Sequence, residues 1–281
     1  MSFKDLPNEE YFAPGHTACP GCSAAIIARL VTKIFGKNTA VHIPASCLVV
    51  FASTPPFASW KIPHLCVAFE NTAAVISGMK AGFRMTGKEH MQVVGIAGDG
   101  GTADIGLQAL SGAAERNEDV IYICYDNEAY MNTGTQRSSL TPSGAATTTT
   151  PIRGKMEFKK DVPAIVAAHH VPYVATASVG YVQDLINKLE KIKTIGGFRY
   201  IQIHAPCPPG WKFDSSLTVE VAKRAVDSGL WELYEIENGI KSITKKVTKR
   251  IPVKDYLSLQ GRFKHLSEEQ VAAIQQKIEG A

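Results

Sequence analysis

Short apolar runs alternate along the chain with longer segments in which apolar residues recur at helical spacing. The apolar runs predict buried strands at 91–97, 120–125, 173–177 and 198–204. The helical spacing predicts helices at about 24–35, 71–85, 162–169, 181–191 and 216–228. Strands that alternate with helices in this way are typical of an α/β fold, in which a mostly parallel sheet has helices on both faces.

One βαβ unit of this pattern has polar residues at the point where each of its strands ends. The turn Gly98–Gly101, which reads Gly-Asp-Gly-Gly, follows the first strand, and Asn127 follows the second. The carboxyl ends of parallel strands meet at one edge of a sheet, where such sheets bind ligands. Glycines let the backbone approach a ligand closely, and N–H groups at a helix start suit a phosphate. Asp99 and Asn127 add side-chain oxygens of the kind that Mg²⁺ prefers.

A simpler structure also accounts for each of these motifs taken alone. A tight turn with an aspartate helix cap explains the glycine turn, and an ordinary polar loop explains Asn127. The two motifs together, one βα unit apart, favour a site for magnesium and a diphosphate.

These motifs resemble a known family. Gly98-Asp99-Gly100, with Asn127 about one βα unit later, is similar to the thiamine diphosphate (TPP) motif. The segment 127–136 reads Asn-Glu-Ala-Tyr-Met-Asn-Thr-Gly-Thr-Gln and resembles the 2-oxoacid:ferredoxin oxidoreductases, most closely the separate β subunit of the pyruvate-acting members. The resemblance covers roughly residues 10 to 235 and implies the thiamine-diphosphate-binding fold.

The resemblance also implies roles for individual residues. Asp99 and Asn127 are expected to bind Mg²⁺ through their side chains, and Ala129 through its carbonyl. Asn132 is expected near the thiazolium ring and the bound substrate, as the candidate catalytic residue. The cofactor-binding candidates are Cys47, Gly98, Asp99, Gly100, Gly101, Asn127, Ala129 and Asn132.

The six cysteines need an explanation other than disulfides. The polar N-terminus has no signal-peptide core, so we expect a cytoplasmic chain, and structural disulfides are rare in that compartment. Cys19 and Cys22 form a C-x-x-C pair at a helix start, and Cys47 and Cys207 each follow an apolar strand. Loops after parallel strands gather at one sheet edge. Four thiolates there would suit Zn²⁺ or a [4Fe–4S] cluster, and the spacing alone does not decide between them.

The residues before the C-x-x-C pair and the chemistry of the reaction distinguish between a redox pair, zinc and a cluster. A thioredoxin-like redox pair is disfavoured, because no good strand precedes the C-x-x-C segment. Zinc has no redox chemistry, whereas oxidative decarboxylation on TPP must remove electrons. The resemblance implies a [4Fe–4S] cluster whose ligands are Cys19, Cys22, Cys47 and Cys207. Cys66 and Cys124 follow apolar residues and are expected to be small core residues.

The composition bounds the class of protein. The 281 residues are 45% hydrophobic, which suits one large α/β domain with a substantial core. A net charge of +4 without a basic stripe rich in aromatics does not indicate nucleic-acid binding. No apolar run approaches the roughly 18 residues of a membrane span.

We expect an N-terminal arm at 1–15, a TPP-binding domain with the cluster site at 16–235, and a basic and amphipathic C-terminal tail at 236–281, solvated or facing a partner.

The resemblance implies oxidative decarboxylation of a 2-oxoacid with coenzyme A, with electrons passing through the cluster to ferredoxin. Pyruvate is the expected substrate, and 2-oxoisovalerate, 2-oxoglutarate and oxalate are alternatives. TPP enzymes also need a glutamate that protonates the aminopyrimidine, and it belongs to a separate pyrimidine-binding domain for which this chain leaves no room. We therefore expect a chain that is inactive alone and works with partner subunits of the α, γ and δ type, one of them the pyrimidine-binding chain.

Two other functions stay open on the sequence alone. A non-oxidative TPP decarboxylase or synthase would use the same motif, but it would not need four cysteines around the site. A zinc-stabilised, non-catalytic assembly subunit with a vestigial TPP motif would keep the cysteines without the reaction. Metal analysis for iron with sulfide, or for zinc, separates these alternatives.

Overall fold

The computed structural model of the chain describes residues 1–280 and contains an eight-stranded sheet. The strands are β1 Thr39–Pro44, β2 His64–Val67, β3 Gln92–Gly98, β4 Ile121–Asp126, β5 Tyr173–Ser178, β6 Arg199–His204, β7 Tyr234–Glu237 and β8 Ile240–Ile243. Their order across the sheet is β2-β1-β3-β4-β6-β5-β7-β8. The first six strands in this order are parallel, and β7 and β8 are antiparallel additions. The prediction of a mostly parallel α/β sheet is confirmed.

Helices cover both faces of this sheet. The α-helices are α1 Ser23–Phe35, α2 Cys47–Ala52, α3 Thr72–Met85, α4 Asp99–Ala103, α5 Leu107–Glu115, α6 Val162–Ala167, α7 Val182–Ile192, α8 Pro208–Trp211, α9 Thr218–Asp227, α10 Val253–Leu257 and α11 Glu268–Glu279. Helices α1 and α7 pack on one face, and α3, α5 and α6 pack on the other. No helix within residues 1–280 is both long enough and apolar enough to cross a bilayer.

Alternate side chains of the central strands enter different cores. In β3, Val94 and Ile96 belong to the core beneath α1 and α7, whereas Val93 and Ala97 belong to the core beneath α3 and α5. Both faces of the strand are therefore buried. This is why the central strands read in the sequence as continuous apolar runs and not as an alternating pattern.

The strand register places the predicted functional segments side by side. Gly98, the last residue of β3, pairs with Tyr125 of β4, and Asp126, the last residue of β4, pairs with His204 of β6. The turns that follow these three strands therefore leave the same edge of the sheet in adjacent positions. Strand β1 lies on the other side of β3, and α2 begins with Cys47 shortly after β1 ends.

Two local predictions are wrong. The helix expected between the two strands of the βαβ unit, after the glycine turn, is divided, because the backbone of Asp104 leaves the helical region (φ −104°, ψ −96°) between α4 and α5. Cys66 lies in the edge strand β2 and is exposed, so it is not a core residue, because β2 has a neighbouring strand on one side only and its four residues are all exposed. Cys124 is buried, as expected.

The C-terminal segment 236–280 folds back onto the rest of the chain. Strands β7 and β8 add to the edge of the sheet, so the sheet continues past the domain boundary predicted at residue 235. Beyond them, Tyr256, Leu257 and Phe263 are buried in a third core with Trp211. The expectation of a solvated or partner-facing tail is therefore wrong for 253–263, where apolar side chains at helical spacing bury against the domain, while the basic stretch 241–250 stays largely exposed.

Candidate functional site

The turn after β3 carries the first part of the site. Gly98 is the N-cap of α4, and Asp99, its first residue, is only 2% exposed. The Ser138 hydroxyl donates a hydrogen bond to Oδ2 of the Asp99 carboxylate. Thr102 Oγ1 donates to the Gly98 carbonyl at 2.7 Å. The carboxylate is thereby fixed in a buried position at the carboxyl edge of the sheet.

Asp99, Asn127 and Ala129 converge on one point. The terminal amide of Asn127 lies 2.9 Å from Asp99 Oδ1 and 2.9 Å from the Ala129 carbonyl oxygen. With its nitrogen turned inward, the amide donates a hydrogen bond to each of them. With its oxygen turned inward, three oxygens face one another, which is favourable only around a cation. The three residues therefore fit a magnesium ion.

The electrostatics of this point also suit a cation. Burial raises the pKa of Asp99 well above its ordinary value, and the nearby Asp126 carboxylate raises it further. Asp126 itself has Lys159 Nζ at 2.7 Å and accepts a hydrogen bond from Gln202 at 2.7 Å. Among residues 1–280, no lysine or arginine forms an ion pair with Asp99 in the same way. A divalent cation would supply the positive charge that this buried carboxylate lacks.

A cavity of about 290 Å³ opens beside these groups. All of the cofactor-binding candidates from the sequence line it: Cys47, Gly98, Asp99, Gly100, Gly101, Asn127, Ala129 and Asn132. A Cβ at Gly100 would lie 2.2 Å from the ring of Tyr130, whose hydroxyl is fixed by a 2.6 Å hydrogen bond to Asp104. Only glycine fits there, and its main chain stays open towards the cavity.

The four predicted cluster ligands line a second cavity, of about 120 Å³. Cys19 and Cys22 enter it from the turn before α1, and Cys207 enters it from the turn after β6. These turns are tied together, because Ser23 Oγ donates a 2.7 Å hydrogen bond to the Pro206 carbonyl. Thus the structure brings together Cys47, Cys207 and the C-x-x-C pair, which are far apart in the chain.

Three thiols around this second cavity, those of Cys22, Cys47 and Cys207, have raised pKa values. Burial, followed by the nearby Cys207, Cys22 and Cys19, raises the pKa of Cys47 to about 12. Burial also raises the pKa of Cys207 to about 12. Within residues 1–280 the structure contains no group of three or more His, Cys, Asp or Glu side chains placed to hold a single metal ion. Iron–sulfur clusters are held by four cysteine thiolates, so these four residues could hold a cluster, whose binding would drive off their protons.

The two cavities have a common wall. Cys47, Val50, Tyr125, Asn127 and Asn132 line both of them. Groups bound in the two cavities would consequently be direct neighbours, separated by single side chains. The fold thus places the candidate residues for magnesium and diphosphate beside the four cysteines.

Sequence reasoning missed several residues of this site. Ser138, which orients Asp99, lies in a polar loop without any recognisable spacing. Tyr125 belongs to the common wall, but in the sequence it is one more aromatic residue of a buried strand. Arg262, 134 residues after Glu128, pairs with it at 2.7 Å. No local pattern identifies a contact between segments that are so distant in the chain.

The chain is similar to known proteins over most of its length. Residues 45–203 match the model of the thiamine pyrophosphate enzyme family, C-terminal TPP-binding domain. The pyruvate synthase subunit PorB of Methanothermobacter thermautotrophicus is 52% identical over 98% of this chain and 96% of that protein. The ketoisovalerate oxidoreductase subunit VorB of Pyrococcus furiosus is 47% identical over 97% of this chain and 91% of that protein.

A solved structure shares the fold at lower identity. It is a 2-oxoglutarate:ferredoxin oxidoreductase from Magnetococcus marinus, which superposes with a TM-score of 0.62 at 21% identity over 79% of this chain and 83% of that chain. The residues matched by the family model include Asp99, Asn127 and Cys47, and the relatives are similar to this chain over nearly its whole length. The chain belongs to the TPP-dependent 2-oxoacid oxidoreductase subunits, the family that includes the pyruvate synthase subunit PorB.

Proposed function

We propose that this chain is the TPP- and [4Fe–4S]-bearing β subunit of a pyruvate:ferredoxin oxidoreductase. The complete enzyme would convert pyruvate and coenzyme A reversibly to acetyl-CoA and CO₂ and pass the electrons to ferredoxin. The single observation that supports this most is the common wall between the cavity beside Asp99 and the cavity with four cysteines. Oxidative decarboxylation needs an electron acceptor beside the cofactor, and a non-oxidative TPP enzyme does not.

Bound TPP supplies a nucleophilic carbon and an electron sink for decarboxylation. In this chain, Asp99 and Asn127 would hold Mg²⁺ through their side chains and Ala129 through its carbonyl. Gly98, Gly100 and Gly101 would let the main chain bind the diphosphate. Asn132 lines both cavities, so we assign it to the contact with the reacting carbon and the 2-oxoacid.

A [4Fe–4S] cluster accepts and passes on one electron at a time. Cys19, Cys22, Cys47 and Cys207 would bind it as thiolates. Cys47 lines the cofactor cavity as well, so it would lie between the two groups. Tyr125, also in the common wall, is fully buried and keeps water out of the space between them.

Partner subunits would complete the site. Among the described residues that line the cofactor cavity, Asp99 is the only acidic one, and we assign it to the metal. The glutamate that protonates the aminopyrimidine would therefore come from the pyrimidine-binding chain. Val50 lines both cavities and is 51% exposed, as expected for a rim that another subunit covers. Other subunits of the α, γ and δ type would bind coenzyme A and the substrate carboxylate and carry electrons to ferredoxin.

The names of the relatives are the basis for ranking the candidate substrates. Relatives named for pyruvate synthase are 44–52% identical to this chain, and relatives named for ketoisovalerate oxidoreductase are 47–48% identical. Pyruvate is our first choice because the relative with the higher identity carries that name. A branched-chain 2-oxoacid is the second choice, on the strength of the ketoisovalerate relatives.

The test is to produce the chain with its partner subunits under anaerobic conditions. We expect iron and acid-labile sulfide with visible absorption, TPP and magnesium in the purified complex, and CoA-dependent reduction of ferredoxin by pyruvate. A panel with pyruvate, 2-oxoisovalerate, 2-oxoglutarate and oxalate ranks the substrates by kcat/KM. Zinc in place of iron would contradict the redox role, and full activity of the isolated chain would contradict the shared site.

A further inference from the structure

Glu128 has an unusual position in the loop that would bind magnesium. It lies between Asn127 and Ala129 and adopts φ +66°, in the left-handed region that non-glycine residues seldom occupy. Its carboxylate is 5% exposed. Thr141 Oγ1 donates a 2.6 Å hydrogen bond to its carbonyl. The backbone turn that directs Asn127 and Ala129 to one point thus depends on a strained residue that its surroundings must hold.

Arg262 is one of the groups that hold it. Its Nη2 lies 2.7 Å from Glu128 Oε2, and both side chains are almost completely buried. Lys159 Nζ binds the other carboxylate oxygen of Glu128 at 2.7 Å. A buried ion pair with well-formed hydrogen bonds is costly to break from one side, because the remaining charge is left without a partner. Glu128 is therefore held firmly by one cation from the 134–160 loop and one from the C-terminal segment.

Arg262 also contacts Trp211, which is hydrogen-bonded to the metal-ligand candidate Asn127. Its guanidinium lies 3.5 Å above the ring centroid of Trp211. Trp211 Nε1 donates a 2.7 Å hydrogen bond to the carbonyl of Asn127. Gln260 Oε1 accepts from Arg262 Nε at 2.9 Å and fixes the plane of the guanidinium. One arginine thus supports both Asn127 and Glu128.

We propose that Arg262 is a positioning residue for magnesium and TPP. It acts through Glu128 and Trp211 and touches neither the metal nor the cofactor. The C-terminal segment that carries it would then be part of the cofactor site and not merely an appendage of the fold. This inference rests on the proposed function, because it requires that Asp99, Asn127 and Ala129 hold a metal ion.

The experiment compares two substitutions in the reconstituted complex. Arg262→Gln removes the support of the loop, whereas Arg250→Gln is the matched control, since Arg250 holds the same C-terminal segment by donating to the Ile278 carbonyl, away from the loop. Apparent Kd for Mg²⁺ is measured at saturating TPP by the change in tryptophan fluorescence. Hydrogen exchange of the amides in 126–132 is measured on the same samples without cofactor.

We expect Arg262→Gln to raise the Kd for Mg²⁺ about 10- to 100-fold, the usual effect of losing a group that orients a metal ligand. Hydrogen exchange in 126–132 should accelerate in Arg262→Gln and stay unchanged in Arg250→Gln. Saturating Mg²⁺ should restore most of kcat, because the chemistry itself is intact. The Kd for Mg²⁺ of Arg262→Lys should lie between those of the wild type and Arg262→Gln, since lysine keeps the charge but has no planar group to stack on Trp211.

Several outcomes would overturn the inference. One is a Kd for Mg²⁺ in Arg262→Gln within twofold of the wild-type value, and another is an equal change in Arg250→Gln. If Arg262→Gln does not fold, Arg262→Lys decides, and an unchanged Kd together with unchanged exchange would reject the role. A wild-type complex that shows no Mg²⁺-dependent binding of TPP would instead contradict the proposed function, and this inference with it.

Discussion

Trp211 Nε1 donates a 2.7 Å hydrogen bond to the main-chain carbonyl of Asn127. Trp211 ends α8, the short helix that starts directly after Cys207, and Asn127 is a magnesium-ligand candidate. Both residues are buried. The hydrogen bond therefore joins the loop of one proposed cofactor to the loop of the other. We expect substitutions at this junction to affect both cofactors together.

Gly210 provides the first test of this junction. A Cβ there would lie 2.2 Å from Met131 Sδ and 3.3 Å from Cys207 Sγ. Gly210→Ala should displace both loops at a cost of roughly 1–3 kcal/mol. The variant should lose iron and also bind TPP more weakly, as measured by iron and sulfide analysis and by TPP titration. Gly78→Ala is the control, because a Cβ at Gly78 in α3 meets nothing within 4 Å. Loss of one cofactor without the other would contradict the coupling.

Ser138 provides the second test, on the metal site alone. Its hydroxyl donates to Asp99 and also accepts a hydrogen bond from the Leu140 N–H. Ser138→Ala should leave Asp99 less well oriented and raise the Kd for Mg²⁺ about tenfold, without changing the iron content. Ser143→Ala, in the same loop, is the control, because the Ser143 hydroxyl makes only a 3.5 Å contact with the Met156 carbonyl. Equal effects of the two substitutions would mean that the loop, and not the hydroxyl, matters.

The cysteines allow a third prediction. Cys207→Ser should abolish most of the iron and the visible absorption of the complex, since serine is a poor ligand for a cluster. Cys66→Ser should leave both unchanged, because Cys66 is exposed in an edge strand and lies outside the cysteine cavity. The pKa values of Cys47 and Cys207 are raised to about 12, so both thiols are protonated at neutral pH before assembly. Reconstitution with iron and sulfide should therefore release protons, and it should become more favourable as the pH rises.

The extent to which the sequence predicts this molecule differs between its parts. The strands at the centre of the sheet are predictable, because burial on both faces makes them continuous apolar runs. The ligand candidates are predictable as well, because strand ends fix where Asp99, Asn127 and Cys207 must lie relative to one another. The break between α4 and α5 is not, since the residue that leaves the helical region, Asp104, is neither glycine nor proline, and Gly106, the N-cap of α5, lies two residues beyond it.

The supporting residues are beyond the reach of sequence reasoning for a different reason. Ser138, Trp211 and Arg262 act through contacts with segments far away in the chain, and a period of 2 or 3.6 residues carries no information about such contacts. A basic and amphipathic C-terminal segment also gives little sign that one of its arginines will be buried. The tertiary structure alone reveals that Arg262 pairs with Glu128.

A fourth prediction concerns the stability of the metal-free chain. The pKa of Asp99 is raised by burial and then by the Asp126 carboxylate, so the folded state binds a proton more tightly than the unfolded state. The free energy of unfolding then falls as the pH rises from the ordinary pKa of the carboxyl group to its raised pKa. The loss is about 1.4 kcal/mol per pH unit over this range. Asp99→Asn removes this loss, so at neutral pH the metal-free variant should resist urea better than the wild type. A less stable variant would contradict the direction of the shift.

The same carboxylate gives Mg²⁺ binding a dependence on pH. A metal ion must displace the proton of Asp99, so the apparent affinity for Mg²⁺ should rise about tenfold per pH unit while Asp99 is protonated in the metal-free protein, and level off above its raised pKa. Titration with Mg²⁺ at saturating TPP, between pH 5.5 and about 8.5, measures the slope. Ser138→Ala removes a hydrogen bond that favours the ionised carboxylate, so its plateau should begin at a higher pH than that of the wild type. An affinity that does not change with pH would mean that Asp99 is already ionised in the metal-free site, and that another group balances its charge.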